Sequence, residues 1–413
     1  MNLKLVFNNK LLRETIIYGI TNLFYSGLPL ILLPFLVDNL NSSEYGKIDL
    51  FRSFSMVAIP LLGLSTIQSI ARFYYDLDKR RFKSFVISIQ VFITCTSLAS
   101  IIVILLISSF ISSFYLNMLI LVIVNFLFSQ YRESLLVIFR LKNKPFHYLA
   151  VRLLNILIEL IVLYLLYKFL NLLDWRMRVY PIVFSSIICS FLVIYIFYKL
   201  KYRFIYDSTL IKSALIYSLP LVLHMLSGYI LNIGDRFFIS YYLDDSELGN
   251  YAVAYQIGMT ISFFYTSFNL AWVTTYFKWM KEGKLLLINK VRIAIYVAIP
   301  FIAICLGVGW LVVKDYILDN KSYEIANELI FIILLSNVFL SLYKFESNYF
   351  LFIKRTKLLS LYTLISAVIT VLLNIFLVPL IGILGAGIAT LVSFILIFIL
   401  VKLKPNQYHE KAT

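Results

Sequence analysis

The sequence predicts an all-α integral membrane protein, with about twelve transmembrane helices in two parallel six-helix repeats around a central cavity. Three observations carry that prediction: a succession of long apolar stretches, loops alternately rich and poor in Lys and Arg, and an internal duplication. Mean hydropathy is +0.90, with 61% hydrophobic and only 14% charged residues, which excludes an ordinary soluble domain. The apolar stretches use up most of the 413 residues, and the short loops leave no room for a soluble catalytic domain.

Crossing a hydrocarbon core about 30 Å thick takes roughly 20 helical residues. Spans of that length are predicted at 14–37, 47–72, 84–108, 114–138, 147–170, 179–198, 213–240, 248–275, 291–313, 323–350, 358–379 and 382–401. Lys4, Lys10 and Arg13 precede the first, whose run Ile16–Val37 is too long for a signal peptide and lacks a small-residue cleavage site, so it is a retained span. The second contains Pro60 and Gly63 and ends on Arg72 at the membrane rim. The third follows the basic loop Lys79, Arg80, Arg81, Lys83 and the fourth carries Arg132 and Glu133. Glu159 lies near the middle of the fifth, and Lys199 and Lys201 close the sixth. The seventh is punctuated by Pro220, Gly228 and Gly234 before Asp235 and Arg236, the ninth by Pro300, and the tenth carries Lys344 and Glu346. Such breaks free carbonyls and permit bending. The run GILGAGIAT (Gly382–Thr390) opens the twelfth span with small residues at helical spacing, which lets helices approach closely.

Loop charge gives orientation. Twenty-six Lys and Arg fall on one side of the bilayer, flanks included, and six on the other: Lys47, Lys168, Arg176, Arg178, Lys314 and Lys321. The basic side is cytoplasmic, so both termini are expected there. The net charge of +16 is therefore membrane orientation, and nucleic acid is not an expected partner.

Two segments recur at an offset of 203 residues. LNSSEYG (Leu40–Gly46) matches LDDSELG (Leu243–Gly249), and SFLVIYIFYKLK (Ser190–Lys201) matches SFILIFILVKLK (Ser393–Lys404). At an offset of 213, Glu133–Ser134 align with Glu346–Ser347. The repeats divide the chain at 1–203 and 204–413, six spans each, and an even number gives both halves one orientation. Parallel repeats are a transporter architecture with a substrate site between the halves. Duplication without transport, as in a membrane scaffold, is the plainer alternative, and the intramembrane charges disfavour it.

A charge at the centre of a lipid-facing helix costs about 2.5–3.5 kcal/mol on insertion scales, so such residues face a bundle interior or a wet cavity. Arg52, Arg72, Arg132, Arg236 and Lys344 are the basic residues inside or at the rims of spans; Asp49, Glu133, Glu159, Asp235 and Glu346 are the acidic ones. Asp49 and Arg52 share a helix face, compatible with a local ion pair or with a substrate contact. Arg72 snorkels at its rim. Arg132 and Lys344 have stems long enough to reach headgroups or to line a cavity. Asp235 and Arg236 are adjacent and so are not expected to face each other, while Asn232 lies one turn before Arg236. Glu159 has Arg152 and Asn155 on its own face and is too deep to snorkel. It is protonated, paired across the bundle, or a coupling or gating group that binds a proton or cation; coupling is the preferred expectation. Cys95, Cys189 and Cys305, like the three histidines, are scattered, so neither a disulfide framework nor a metal site is indicated and no cofactor is expected.

The segments FRSFSMVAIPLLGLSTIQSIARFYYD (Phe51–Asp76), GDRFFI (Gly234–Ile239), LGNYAVAYQIG (Leu248–Gly258) and GILGAGIATLVS resemble the polysaccharide-transport branch of the multidrug/oligosaccharidyl-lipid/polysaccharide exporter superfamily, in particular its bacterial O-antigen flippases. The resemblance runs over essentially the whole chain. It implies a non-enzymatic flippase that carries an undecaprenyl-pyrophosphate-linked oligosaccharide from the cytoplasmic to the periplasmic leaflet, alongside polymerase and chain-length proteins of the same pathway. It further implies an Asp–Arg pair in the seventh span, matched by Asp235 and Arg236, and basic residues lining the cavity. By position those are Arg52, Arg132, Arg236 and Lys344, with Glu159 and Asp235 as coupling or gating residues for a proton or Na⁺ gradient. Arginine suits a pyrophosphate because its fork donates bidentate, charge-assisted bonds. The rivals are a drug or metabolite cation antiporter of the same superfamily, which favours an acidic cavity, and a membrane polymerase or ligase of the same pathway, which needs a larger outer loop.

Overall fold

A computed structural model describes residues 10–202, 206–317 and 322–403. Both chain ends, with Lys4, Lys404, His409 and Lys411, and the loop residues Arg203 and Lys321 lie outside the described residues. Every regular element among the described residues is helical: α1 (Lys10–Ile31), α2 (Leu33–Asn39), α3 (Ser42–Leu62), α4 (Ile67–Phe73), α5 (Lys79–Leu106), α6 (Ser113–Leu141), α7 (Pro145–Leu170), α8 (Arg176–Lys199), α9 (Ser208–Tyr242), α10 (Asp245–Gly258), α11 (Thr260–Lys281), α12 (Leu285–Ile317), α13 (Asn327–Phe352) and α14 (Thr356–Lys402), with a short 3₁₀ turn at Ser108–Phe110.

Nine helical spans among the described residues are long and apolar enough to cross a bilayer, or up to ten when the bent pair α3–α4, at 49°, counts as one. The 47-residue α14 is two helices joined across a kink at Ile381 and Gly382, where Gly382 has φ +62° and ψ −144°. That left-handed backbone is open to glycine at little cost, and it separates the expected eleventh and twelfth spans. Helices α10 and α11, separated only by Met259, occupy the eighth. With these, the twelve expected spans are all represented by helices.

Local chemistry explains the ends. Asp78 caps α5, accepting from the amides of Arg80 at 2.8 Å and Arg81 at 2.9 Å, and Asp244 caps α10 through the Glu247 amide at 2.8 Å. Pro145 starts α7, where its missing N–H leaves no bond unmade, and Asn171 in the left-handed region ends it. Inside the spans, Thr370, Asn374 and Ser393 donate back to carbonyls one turn earlier, which satisfies these donors within the helix.

The chain forms two compact units: Met1–Tyr25 with Leu50–Leu226, and Ser26–Asp49 with Ser227–Thr413. Helices α1, α3 and α9 each pass from one unit to the other. In the first unit α8 packs on α6 and α7, and α6 on α5; in the second α13 packs on α10, α11, α12 and α14. Within the second unit the two copies of the repeated loop motif lie against each other. A Cβ on Gly46 would stand 2.0 Å from the Asp245 carbonyl oxygen, and one on Gly249 would stand 1.8 Å from that of Ser42. The hydroxyls of Ser42 and Ser246 meet at 2.5 Å. Only glycine permits this approach, because membrane helices associate through close backbone packing rather than through hydrophobic burial.

Candidate functional site

The intramembrane charges gather into a few clusters, each within one unit. In the first unit, α6 supplies Arg132 and Glu133, α7 supplies Arg152, Asn155 and Glu159, and α1 supplies Tyr25. Arg132 Nη1 donates to Asn155 Oδ1 at 2.7 Å, and its Nε and Nη2 reach Glu133 Oε1 at 3.3 Å. Nη2 also donates to the Tyr25 hydroxyl at 3.3 Å. Arg152 Nη2 binds the other oxygen of Glu133 at 3.1 Å, and its guanidinium lies 4.1 Å over the Tyr25 ring. Such stacking attracts a cation to the negative face of the ring.

Glu159 has a partner that the sequence left unnamed. Arg178 Nη1 approaches its carboxylate to 2.5 Å, with both side chains buried. The contact is a charge contact rather than an aligned hydrogen bond, since the same nitrogen has no acceptor in hydrogen-bonding geometry. The spans read from sequence leave Arg178 in an outer loop. Helix α8 begins at Arg176, three residues before the expected span, which carries Arg178 into the bundle at 2% exposure. The expected span boundary hid this residue.

In the second unit Arg236 is held between two carboxylates. Its Nε donates to Asp49 Oδ2 at 3.0 Å and its Nη1 to Asp235 Oδ1 at 2.6 Å and to the Asn232 carbonyl at 3.1 Å. The expectation that the adjacent Asp235 and Arg236 do not face each other is corrected here: the long arginine stem curls back toward the preceding turn, and Asp235 swings forward to accept the Arg236 amide as well. Tyr255 lies under the guanidinium at 4.1 Å. Asp235 Oδ2 accepts from the hydroxyls of Tyr251 and Thr390. Asp49 is thus committed to Arg236, and the alternative of a local Asp49–Arg52 pair is not formed. Glu346, the repeat-related counterpart of Glu133, also binds an arginine, Arg292 at 3.1 Å, and accepts from the Tyr296 hydroxyl at 3.0 Å.

Two of the sequence-derived residues behave differently. Arg52, in the first unit, is half-buried, and its buried Nη2 meets no acceptor. Lys344, in the second, is half-buried, and among the described residues no charged group faces it. Arg132 and Arg236 therefore pair with protein carboxylates, whereas no carboxylate pairs with Arg52 or Lys344 among the described residues. Spacing alone does not separate the two kinds, because the deciding partners sit on other helices. No group of three or more His, Cys, Asp or Glu side chains suited to a metal occurs among the described residues.

With the long membrane helices and their charged clusters described, comparison with known proteins supplies the family. The family model described as "Polysaccharide biosynthesis protein" matches residues 11–278, about two thirds of the chain. The chain belongs to this family. Two relatives in Haemophilus influenzae resemble it along most of their length: a protein of the Lsg locus, 24% identical over 371 residues covering 88% of this chain and 90% of that protein, and an uncharacterized membrane protein, 23% identical over 365 residues covering 87% and 88%. Among solved structures, the lipid II flippase MurJ in an inward closed conformation matches with a TM-score of 0.70 at 16% identity, covering 98% of this chain and 87% of that one. An inward-facing multidrug resistance MATE family transporter of the MOP superfamily matches with a TM-score of 0.67 at 15% identity, covering 94% and 92%. This polysaccharide biosynthesis family member therefore has the fold of the MOP transporters and is a multi-pass membrane protein.

Proposed function

We propose that this chain moves an undecaprenyl-pyrophosphate-linked oligosaccharide, O-antigen or a related unit, from the cytoplasmic to the periplasmic leaflet by alternating access. Family membership supports the saccharide, and the fold supports transport. The observation that carries the reading is that two basic residues, Arg52 and Lys344, have no carboxylate partner among the described residues. A pyrophosphate entering the membrane must exchange its water for charge-assisted donors, and groups already neutralised by protein carboxylates offer less to it. Arg132 and Arg236 act in this reading through the clusters they organise. Glu159 and Asp235 are the coupling carboxylates, because a proton or Na⁺ arriving at either one loosens its hold on Arg178 or Arg236. Both termini face the cytoplasm of a bacterial inner membrane, and polymerase and chain-length proteins act on the exported unit.

The fold shared with multidrug transporters supplies the rival reading of a cation antiporter, and basic residues without a carboxylate partner, Arg52 and Lys344, speak against it. Replacing Arg52 or Lys344 with Gln tests the assignment. Export of lipid-linked repeat units should fall by about tenfold or more for each, the loss of one hydrogen bond to a charged group, with the protein present at normal level. Arg72→Gln, which removes an exposed i, i+4 pair with Asp76, should leave export unchanged. Wild-type export by both cation variants would remove the assignment.

A further inference from the structure

Helix α11 is 22 residues long, enough to cross a bilayer, yet it does not rank among the helices apolar enough to do so alone. Part of its polar content ties it to α13 within the second unit: Ser262 donates to Asn337 Oδ1 at 2.9 Å, and Asn348 donates to Asn269 Oδ1 at 2.9 Å. Polar side chains join membrane helices in this way. The rest is uncovered, since Thr266, Ser267 and Thr274 are exposed. The adjacent α12 presents the opposite chemistry: Ile293, Val297, Phe301, Ile304 and Val308 repeat at helical spacing and are 57–66% exposed. That stripe suits lipid, whereas the hydroxyl-bearing face of α11 suits water.

Asn269 borders the exposed face one turn after Thr266. It is half-buried, whereas Tyr265 and Asn348 are buried. Its Oδ1 accepts from the Tyr265 hydroxyl at 3.0 Å as well as from Asn348, so the amide is held by its oxygen and its Nδ2 end turns away from both donors. Asn337 and Asn374 each spend an amide hydrogen on the carbonyl one turn earlier. Asn269 does not, and its Nδ2 hydrogens are spent on no described residue. The hydroxyls beside it still offer acceptors: Ser267 donates to the Phe263 carbonyl at 2.8 Å, which leaves its lone pairs open. Phe264, one turn before Ser267, is 56% exposed and sets an apolar ring next to them.

We infer that this face of α11 is a contact for uncharged sugar groups. Asn269 Nδ2 donates to a sugar oxygen, the hydroxyls of Thr266, Ser267 and Thr274 accept from sugar hydroxyls, and Phe264 meets the C–H face of a ring. A few placed polar groups beside an aromatic one is the usual make-up of a small-molecule site. No charged residue lies between Phe264 and Thr274, so the face is matched to neutral saccharide and not to phosphate. The inference rests on the transport reading above and deepens it, because it gives the glycan a contact separate from Arg52 and Lys344.

The test uses the full chain in lipid nanodiscs, carrying Ser267→Cys, Thr274→Cys or, on the apolar stripe of α12, Val297→Cys. Each is treated with a membrane-impermeant methanethiosulfonate, and the wild-type chain gives the background from Cys95, Cys189 and Cys305. The two α11 cysteines should react and the α12 cysteine should not. Lipid-linked repeat units should then slow labelling on α11 by about fivefold or more, undecaprenyl pyrophosphate without sugar should not, and Asn269→Leu should remove the protection. Unreactive α11 cysteines overturn the inference, and so does equal protection by the two lipids. Should Asn269→Leu fail to fold, the labelling of the cysteine variants decides alone. Absence of protection in a chain that restores export in cells overturns the sugar contact and leaves the transport reading intact. Protection in a chain that exports nothing does the reverse.

Discussion

At the scale of single residues, the informative feature is which charges have partners. Removing one member of a buried ion pair leaves the other charge uncompensated and costs about 3–5 kcal/mol, while replacing both by apolar residues of similar volume is often neutral. Glu159→Gln should therefore lower the melting temperature in detergent markedly, and Glu159→Leu with Arg178→Met should recover it. Export by the double variant then separates roles: a stable protein without export keeps Glu159 as a coupling group, and a stable protein with normal export makes the pair structural only. Arg236→Ala strands Asp49 and Asp235 together, so reduced stability should accompany any loss of export; a normal melting curve would show that the cluster is less closed than its distances indicate. The sequence exposed the acidic members of these pairs and the deep position of Glu159. It did not expose Arg178, whose neighbours in sequence read as loop, nor the bend that joins Asp235 to Arg236.

At the scale of elements, the repeated loop motif carries a packing rule. Ala at Gly249 would force its Cβ against the Ser42 carbonyl, and overpacking of this kind costs about 1–3 kcal/mol. Ala at Gly228, where nothing lies within 4 Å, should instead be neutral or stabilising by up to about 1 kcal/mol through helix propensity. Thermal unfolding of the two variants side by side checks the contrast. The cap of α5 makes a pH prediction outside the membrane. Hydrogen bonds from the Arg81 and Arg80 amides hold the Asp78 carboxyl below its ordinary value despite opposing desolvation. Because the folded value is the lower one, the contribution is complete above the ordinary aspartate range and is lost as pH falls through the depressed value. Amide exchange at Arg80 and Arg81, corrected for the intrinsic pH dependence, should accelerate over that acidic window; protection indifferent to pH there would contradict the cap. Span positions were legible from hydropathy, including the division near Gly382, and Pro60 with Gly63 marked the second span as able to bend, whereas the full turn at Gly63–Thr66 required backbone geometry.

At the scale of the whole molecule, a helical membrane fold was legible because lipid permits few alternatives: backbone groups must be satisfied inside the protein, and apolar runs of about 20 residues do so as helices. The family was legible because its motifs span most of the chain. The sorting of cations into paired and unpaired was not, as it depends on side chains brought together from different helices. Function rests on that sorting as well as on family. The most direct measurement is leaflet-resolved detection of lipid-linked repeat units in cells lacking this gene, with a glycan probe confined to the periplasmic face. Repeat units should accumulate on the inner leaflet and reach the outer one when the wild-type chain is restored, but not with Arg52→Gln or Lys344→Gln. Normal outer exposure of single units in the absence of the chain would contradict its assignment as the flippase.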